Sequence, residues 1–322
     1  MAKSQHLSAY SPNSIQIAAE QLMAGYLVAF PTETVYGLGA DATNEDAVKK
    51  IYEVKGRPTN HPLIVHVASI SSLGAWASQI PDYAIDLART FWPGPMTLIL
   101  KRKEIAKDFI TGSQNSVGIR VPGNPIALEL LTRFESLGGL GIAAPSANRF
   151  GQVSPTSSED VQDEIGEYLS ERDLILEGGQ SQIGIESTII DCTNLQPIIL
   201  RPGAITAEMI TSIHKNHRIV IAKSDIRVSG NLDRHYAPVA KVIVNQTPQP
   251  GQAFIALSRI KTPKGVFRIS SPVDIDEFVR NIYGAMRHAD KLGFKELVIE
   301  IPKGRGIEVA LLDRLSKAAM GR

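Results

Sequence analysis

The stretch MTLILKRKEIAKDFITGSQNSVGIRV, Met96 to Val121, decides the fold. MTLILK and VGIRV are apolar runs of strand length. The chain passes directly from one strand to the other, which points to a mixed sheet rather than an all-parallel one. Working outward, PDYAIDLARTFW reads as a helix stopped by the PGP at 93–95, and PIALELLTRF as a helix beyond VGIRV. Further out, SIQIAAEQLMAG (14–25) reads as a helix with a glycine stop, and YLVAF (26–30) as a strand running into PTET. TNEDAVKKIYEV (43–54) is a helix capped by Thr43 or Asn44 with acids in its first turn. PLIVHV, LILEGG, STIIDCT and PIILR read as strands, and SEDVQDEIGEYL as an acidic helix.

These elements predict an α/β fold for residues 1–210: a mixed twisted sheet with helices around one core. Residues 211–240 are polar, contain histidines and are punctuated by Gly and Pro, so they read as a linker. Beyond it, KVIVNQ, AFIALS, GVFRIS and LVIEIP read as strands, and two amphipathic stretches as helices. Residues 241–322 are therefore expected to form a small α/β domain.

Composition bounds the chemistry. The chain has 322 residues, 43% hydrophobic and 21% charged, as in an ordinary globular protein with room for two domains. A single cysteine, Cys192, excludes an internal disulfide and a Cys-based zinc site. The polar N-terminus lacks a signal-peptide core, and no apolar run approaches the ~20 residues of a membrane span. A reducing, cytoplasmic setting without membrane contact is expected. Residues 1–210 carry 15 basic against 23 acidic residues, and residues 211–322 carry 19 against 10. This asymmetry marks a domain boundary and allows the two parts to attract each other. The basic part also leaves a weak tRNA contact open.

Some motifs mislead. GLGADA (37–42) and GLGIAA (139–144) fit the loose glycine pattern of dinucleotide sites, but neither has an acidic residue about 20 positions on at a strand end. No P-loop, nucleophile elbow or H-E-x-x-H occurs. Other segments gather polar groups at strand ends. In KGRPTNHPLIVHV, Lys55 and Arg57 share a side if the chain is extended, between stiffening prolines. They form either a solvated basic turn or an oxyanion clamp. His66 interrupts the apolar run and faces a cavity or a buried partner. Thr32 and Thr34 share a face in PTETVYGLG. Arg120 lies inside an apolar strand and needs an anion, either a protein acid or a ligand carboxylate. Ser146, Asn148 and Ser154 cluster in a hydroxyl- and amide-rich turn. ESTIID (186–191) opens a strand, and Arg201 ends one.

ETVYGLGADA, KGRP, PLIVHV, FWPGPMTL, IRVP, PSAN, SPT, ESTIID and ILRPGAI occur in this order across residues 33–205. Together they resemble the YrdC-like family of threonylcarbamoyl-AMP synthases, whose hallmark pairs K-x-R with S-x-N. SGNLDRHYAP and the C-terminal α/β part resemble the family's longer, two-domain form, so the likeness covers nearly the whole chain. It implies a YrdC-like catalytic domain, a linker that acts as a lid and a small Rossmann-like domain. It further implies a reaction joining L-threonine, bicarbonate and ATP into threonylcarbamoyl-AMP and pyrophosphate. The product would feed the downstream tRNA threonylcarbamoyl-transferase machinery.

By the same resemblance, Lys55, Arg57, Ser146 and Asn148 surround the ATP phosphates and the reacting centre. Thr34, His66, Arg120, Ala144 and Ser187 hold threonine, with Arg120 on its carboxylate. Ser116, Ser154 and Arg201 reach ATP, and His235 or Tyr236 closes over it. Mg²⁺ would accompany ATP, held largely by phosphate and water. Two departures stand out. His61 replaces the family's usual Asn, which puts a contact of residue 61 with ATP in question. Gly230-Asn231-Leu232 replaces the linker's usual Pro-Gly-Met. Two other classes remain. A non-catalytic RNA-binding module is opposed by the net acidity of residues 1–210, and a carbamoyl-transfer enzyme with zinc-finger cysteines is opposed by the single cysteine.

Overall fold

The computed structural model describes residues 5–213, 220–222, 225–230 and 235–321. A first, twelve-stranded mixed sheet contains β1 (Gln5–Ser8), β2 (Val28–Phe30), β3 (Gly37–Asp41), β4 (Ile64–His66), β5 (Ala77–Ser78) and β6 (Met96–Arg102). It continues with β7 (Ser116–Arg120), β8 (Ile142–Ala143), β9 (Leu174–Glu177), β10 (Thr188–Asp191), β11 (Ile198–Arg201) and β12 (Val220–Ile221). Its order is β1-β9-β2-β3-β8-β4-β7-β6-β10-β11-β12, with β5 on β6. The deciding stretch behaves as its sequence predicts: β6 and β7 pair antiparallel, Leu98 opposite Ile119. β4 and β7 run parallel, with His66 opposite Arg120.

A second sheet holds β13 (Lys241–Val244), β14 (Ala253–Ile255), β15 (Phe267–Ser270) and β16 (Glu296–Ile299), in the order β13-β16-β14-β15. All its pairs are parallel. The helices Ile275–Lys291 and Glu308–Ala319 bury their apolar stripes on one face of it.

Local chemistry sets the element ends. In the helix Glu45–Lys55, the Asn44 side chain accepts from the Ala47 amide at 3.1 Å, and Glu45 and Asp46 oppose the helix dipole. Ser157 and Asp160 form a capping box at the start of Ser158–Ile165. Two readings change. Gly37–Asp41, where the sequence signals no strand, forms β3 in the sheet. The linker is not free of structure, since β12 pairs with β11.

The charge asymmetry has a structural counterpart. Arg287 of the second domain reaches Glu164 at 2.6 Å, and Lys291 reaches Asp163 at 2.6 Å, both on the acidic helix of the first. Arg287 also bonds the Val153 carbonyl. The apolar core of the second domain runs on into Val35, Val153 and Ile185 of the first.

Candidate active site

Strand alternation builds the site. Val65 and Ile119 point into the main core, so Ile64, His66 and Arg120 point to the opposite face of the sheet. Over that face lies a tight cavity of about 40 Å³. Thr34, His66, Arg120, Ala144, Ser146 and Ser187 line it, and Ser229, His235 and Tyr236 of the linker close it.

Lys55 is the last residue of a helix, not part of an extended segment. Gly56, at φ 59°, ends that helix and turns the chain toward Arg57. The Lys55 Nζ donates to the carbonyls of Ser146 (2.6 Å) and Asn148 (2.5 Å). The K-x-R and S-x-N motifs are thus physically joined. Arg57 is 6% exposed and donates to the Pro62 carbonyl at 2.8 Å and to the Ser229 hydroxyl at 3.4 Å. Burial, and then the mutual repulsion of the two cations, holds Lys55 well below an ordinary lysine; burial lowers Arg57 to about 10.

Arg120 finds its anion within the protein. Its Nη2 lies 2.5 Å from Glu33 Oε1 and 3.0 Å from the Thr34 hydroxyl, while its Nε has no partner. Thr32 and Thr34 share a hydroxyl–hydroxyl bond of 2.8 Å. His66 has an unpartnered Nδ1; burial first, then Arg120, push its pKa to about 3, so the ring is neutral at physiological pH. The Ser187 hydroxyl bonds Thr97 at 2.8 Å and accepts from Arg201 at 3.1 Å. Arg201 also donates to the carbonyls of Ser187 and Ser229, fastening the linker to the start of β10.

Behind the linker, Glu186 is saturated. It accepts from Ser154 (2.6 Å), Tyr283 (3.1 Å) and Arg314 (2.8 Å). Burial alone would raise its pKa, but Arg314 foremost, then Arg201, hold it at about 2. Arg314 is 0% exposed and lies 5.3 Å from the Tyr236 ring, which stacks on Tyr283. The linker is tightly shaped here: Tyr236 has φ 62°, and a Cβ on Gly230 (φ 80°) would sit 2.1 Å from the Tyr236 hydroxyl.

Each carboxylate at the site therefore has its own arginine: Glu33 has Arg120, and Glu186 has Arg314. Lys55, Arg57 and Arg201 bond only to carbonyl and hydroxyl oxygens among the described residues. Seven buried polar atoms of the site lack any partner among the described residues: His66 Nδ1, Arg120 Nε, His235 Nδ1 and the Tyr236 hydroxyl in residues that line the cavity, and Glu33 Oε2, Arg57 Nε and Asn148 Oδ1 in residues that do not. Buried polar groups are normally satisfied, so such a cluster asks for a polar ligand.

Not every expected residue lines this cavity: of the four expected at the reacting centre, Ser146 does, and Lys55, Arg57 and Asn148 do not. Ser116 lies at the far end of β7 in an adjoining cleft that shares Pro62, Leu63, Ile64 and Ser229 with it. Ser154 stands behind Glu186. His61 packs edge-on to Phe150, whose ring lies 5.9 Å from the Arg57 guanidinium. Asn231 and Leu232 fall outside the described residues. Sequence reasoning missed Glu33 as the partner of Arg120, and it missed Arg314 and Tyr283. Arg314 left a signal, since it occupies a core position of the helical stripe Leu311, Arg314, Leu315, Ala318.

Residues 20–203 match the Sua5, YciO and YrdC family model, described as "Telomere recombination". The chain belongs to the Sua5–YciO–YrdC family. Residues 205–320 match the model described as "Threonylcarbamoyl-AMP synthase, C-terminal domain", as in the two-domain members. A threonylcarbamoyl-AMP synthase of Pyrococcus abyssi is 40% identical, covering 95% of this chain and 94% of the relative. One from Bacillus subtilis is 37% identical, covering 98% and 95%. A solved structure, "Crystal structure of P. abyssi Sua5 complexed with L-threonine", superposes with a TM-score of 0.85 at 37% identity, covering 99% of this chain and 98% of that one. Among the described residues no helix is long and apolar enough to cross a membrane.

Proposed function

We propose that this enzyme condenses L-threonine, bicarbonate and ATP into L-threonylcarbamoyladenylate and pyrophosphate, for the threonylcarbamoyladenosine modification of tRNA. Its relatives are named for that product, and one was solved with threonine. The observation that carries the reading to ATP is the trio Lys55, Arg57 and Arg201, buried without a carboxylate partner beside a cluster of unsatisfied polar atoms. Buried cations without a direct ion pair in a low-dielectric site suit a polyphosphate.

In this reading the threonine carboxylate takes the free Nε side of Arg120, and the hydroxyl is held by Thr34 and neutral His66. Ala144 packs against the substrate methyl. The amine condenses with bicarbonate to a carbamate, releasing water. A carbamate oxygen attacks the α-phosphorus, the bond to the β-phosphate oxygen breaks, and pyrophosphate leaves. No covalent enzyme intermediate is needed. Lys55, Arg57, Ser146 and Asn148 orient the phosphates and stabilise their charge. Arg201 and Tyr236 contact the nucleotide, and Ser116 in its adjoining cleft reaches it as well. Ser154 acts through Glu186. The present cavity has no room for the nucleotide, so His235 and Tyr236 must withdraw to admit it and return to keep water from the labile carbamate. Mg²⁺ enters as part of the substrate, bound to ATP and water. Both carboxylates of the site are engaged with arginines, and no three-residue metal cluster occurs among the described residues.

The test is pyrophosphate release from ATP that depends on both threonine and bicarbonate. Lys55→Ala and Arg57→Ala are expected to lower it at least a hundredfold with the fold intact by circular dichroism. Wild-type rates in either variant, or release independent of threonine, would end this reading.

A further inference from the structure

We propose that the second domain carries its own nucleotide site, in the crevice at the carboxyl ends of β16 and β14, and that its ligand is a nucleoside monophosphate. The topology creates the opening. After β14 the chain crosses toward β15; after β16 it enters the helix Glu308–Ala319, which packs toward β13 on the other side. The two neighbouring strands thus send their continuations in opposite directions. In open parallel sheets that divergence leaves the gap in which ligands bind. Here the gap is a crevice of about 810 Å³, within the size range of small-molecule sites.

Its lining has two chemistries. Arg259, Lys261 and Lys303 bring three cations, none with an ion pair or hydrogen bond among the described residues. Glu300 is the acid among the lining residues. Ile260, Pro263 and Pro302 supply apolar surface beside them. A phosphate against the cations and a flat ring against the prolines and aliphatics satisfy both. Inorganic phosphate would use only the first, and an apolar ligand only the second.

The walls are shaped in advance. Arg268 donates to the carbonyls of Ala256 (2.6 Å), Leu257 (2.7 Å) and Ile260 (3.2 Å) and stacks 4.9 Å from Phe254. This fixes the loop that presents Arg259 and Lys261. Across the gap, Asn245 adopts φ 53°, and its side chain accepts from the Ile301 amide at 2.9 Å, tying the exit of β13 to that of β16. Rigid walls lower the entropy cost of binding. No described residue of the first cavity contributes to this crevice, so the proposal does not depend on the synthase reading.

The experiment is calorimetric titration of the full chain with AMP, inorganic phosphate and a tRNA anticodon stem-loop as separate probes. Two AMP molecules per chain are expected for the wild type. The variant Arg259→Ala/Lys261→Ala/Lys303→Ala should lose one, at least tenfold in affinity, with pyrophosphate release unchanged. Lys55→Ala/Arg57→Ala should lose the other. Retention of both AMP molecules by the triple variant, or a single AMP in the wild type abolished by Lys55→Ala/Arg57→Ala, overturns the proposal. Phosphate binding as tightly as AMP, or only the stem-loop responding to the triple variant, overturns its ligand class. If the triple variant loses AMP while the Lys55/Arg57 variant binds like wild type, the second site stands and the first reading falls.

Discussion

Arg120 and Glu33 meet at 2.5 Å within the first domain, beside the proposed threonine position. Arg314 and Glu186 meet at 2.8 Å across the two domains, behind the linker tyrosine. The first pair is incomplete: Glu33 Oε2 and Arg120 Nε are buried without partners. The Glu186 carboxylate of the second pair has no such vacancy, because Ser154 and Tyr283 complete its bonding. An incomplete buried pair can exchange bonds with an incoming carboxylate, whereas a completed one holds its surroundings in place. The second domain thus takes part in the site from behind, supplying the charge that neutralises Glu186 and the surface on which Tyr236 rests.

The largest expected effect breaks the completed pair. Arg314→Met leaves Glu186 buried without its ion pair, and urea unfolding should show a loss of about 3–5 kcal/mol. Adding Glu186→Gln should restore most of it. If Arg314→Met alone is neutral, the interdomain pair does not hold the structure in this way.

Acid offers a second comparison. His66 and His235 are pushed by burial to about 3, against an ordinary 6.5. The unfolded chain takes up these protons first, so their contribution is complete above about pH 6.5 and falls toward about pH 3, by about 1.4 kcal/mol per pH unit for each ring. Glu186, held at about 2, adds a further loss between its ordinary 4.5 and that value. Urea titrations at stepped pH should show the upper limb flattened by His66→Gln with His235→Gln, and the lower limb by Glu186→Gln with Arg314→Met.

The smallest effect sharpens the view of the linker. Gly230→Ala introduces a side chain at φ 80° against the Tyr236 hydroxyl. It should cost about 1–2 kcal/mol and raise the KM for ATP more than that for threonine. Equal changes in both constants would detach Gly230 from the lid.

Much of this architecture was legible from apolar runs, caps and motifs. MTLILK and VGIRV are short apolar runs that become buried strands, Asn44 and Ser157 stand where helix caps belong, and the family motifs run in order. Gly37–Asp41 was not legible as a strand because two of its five residues are glycine and none is β-branched or aromatic; only the pairing with β2 and β8 places it in the sheet. Lys55 looked like part of an extended turn because one residue, Gly56, decides where the helix ends. The partners of Arg120 and Glu186 were hidden for a different reason: they are 87 and 128 residues away in the chain, and no local pattern encodes such a distance.

The Lys55 ammonium, gripping two main-chain oxygens 91 and 93 residues further along, serves as a strut as well as a charge. A side chain too short or too apolar to reach these oxygens would lose the charge and the grip at once, and the S-x-N loop and the helix end would drift apart together. Substitutions at position 55 therefore report on the shape of the loop and on its electrostatics at once. Only a residue that rebuilds both hydrogen bonds, to the carbonyls of Ser146 and Asn148, would separate the two.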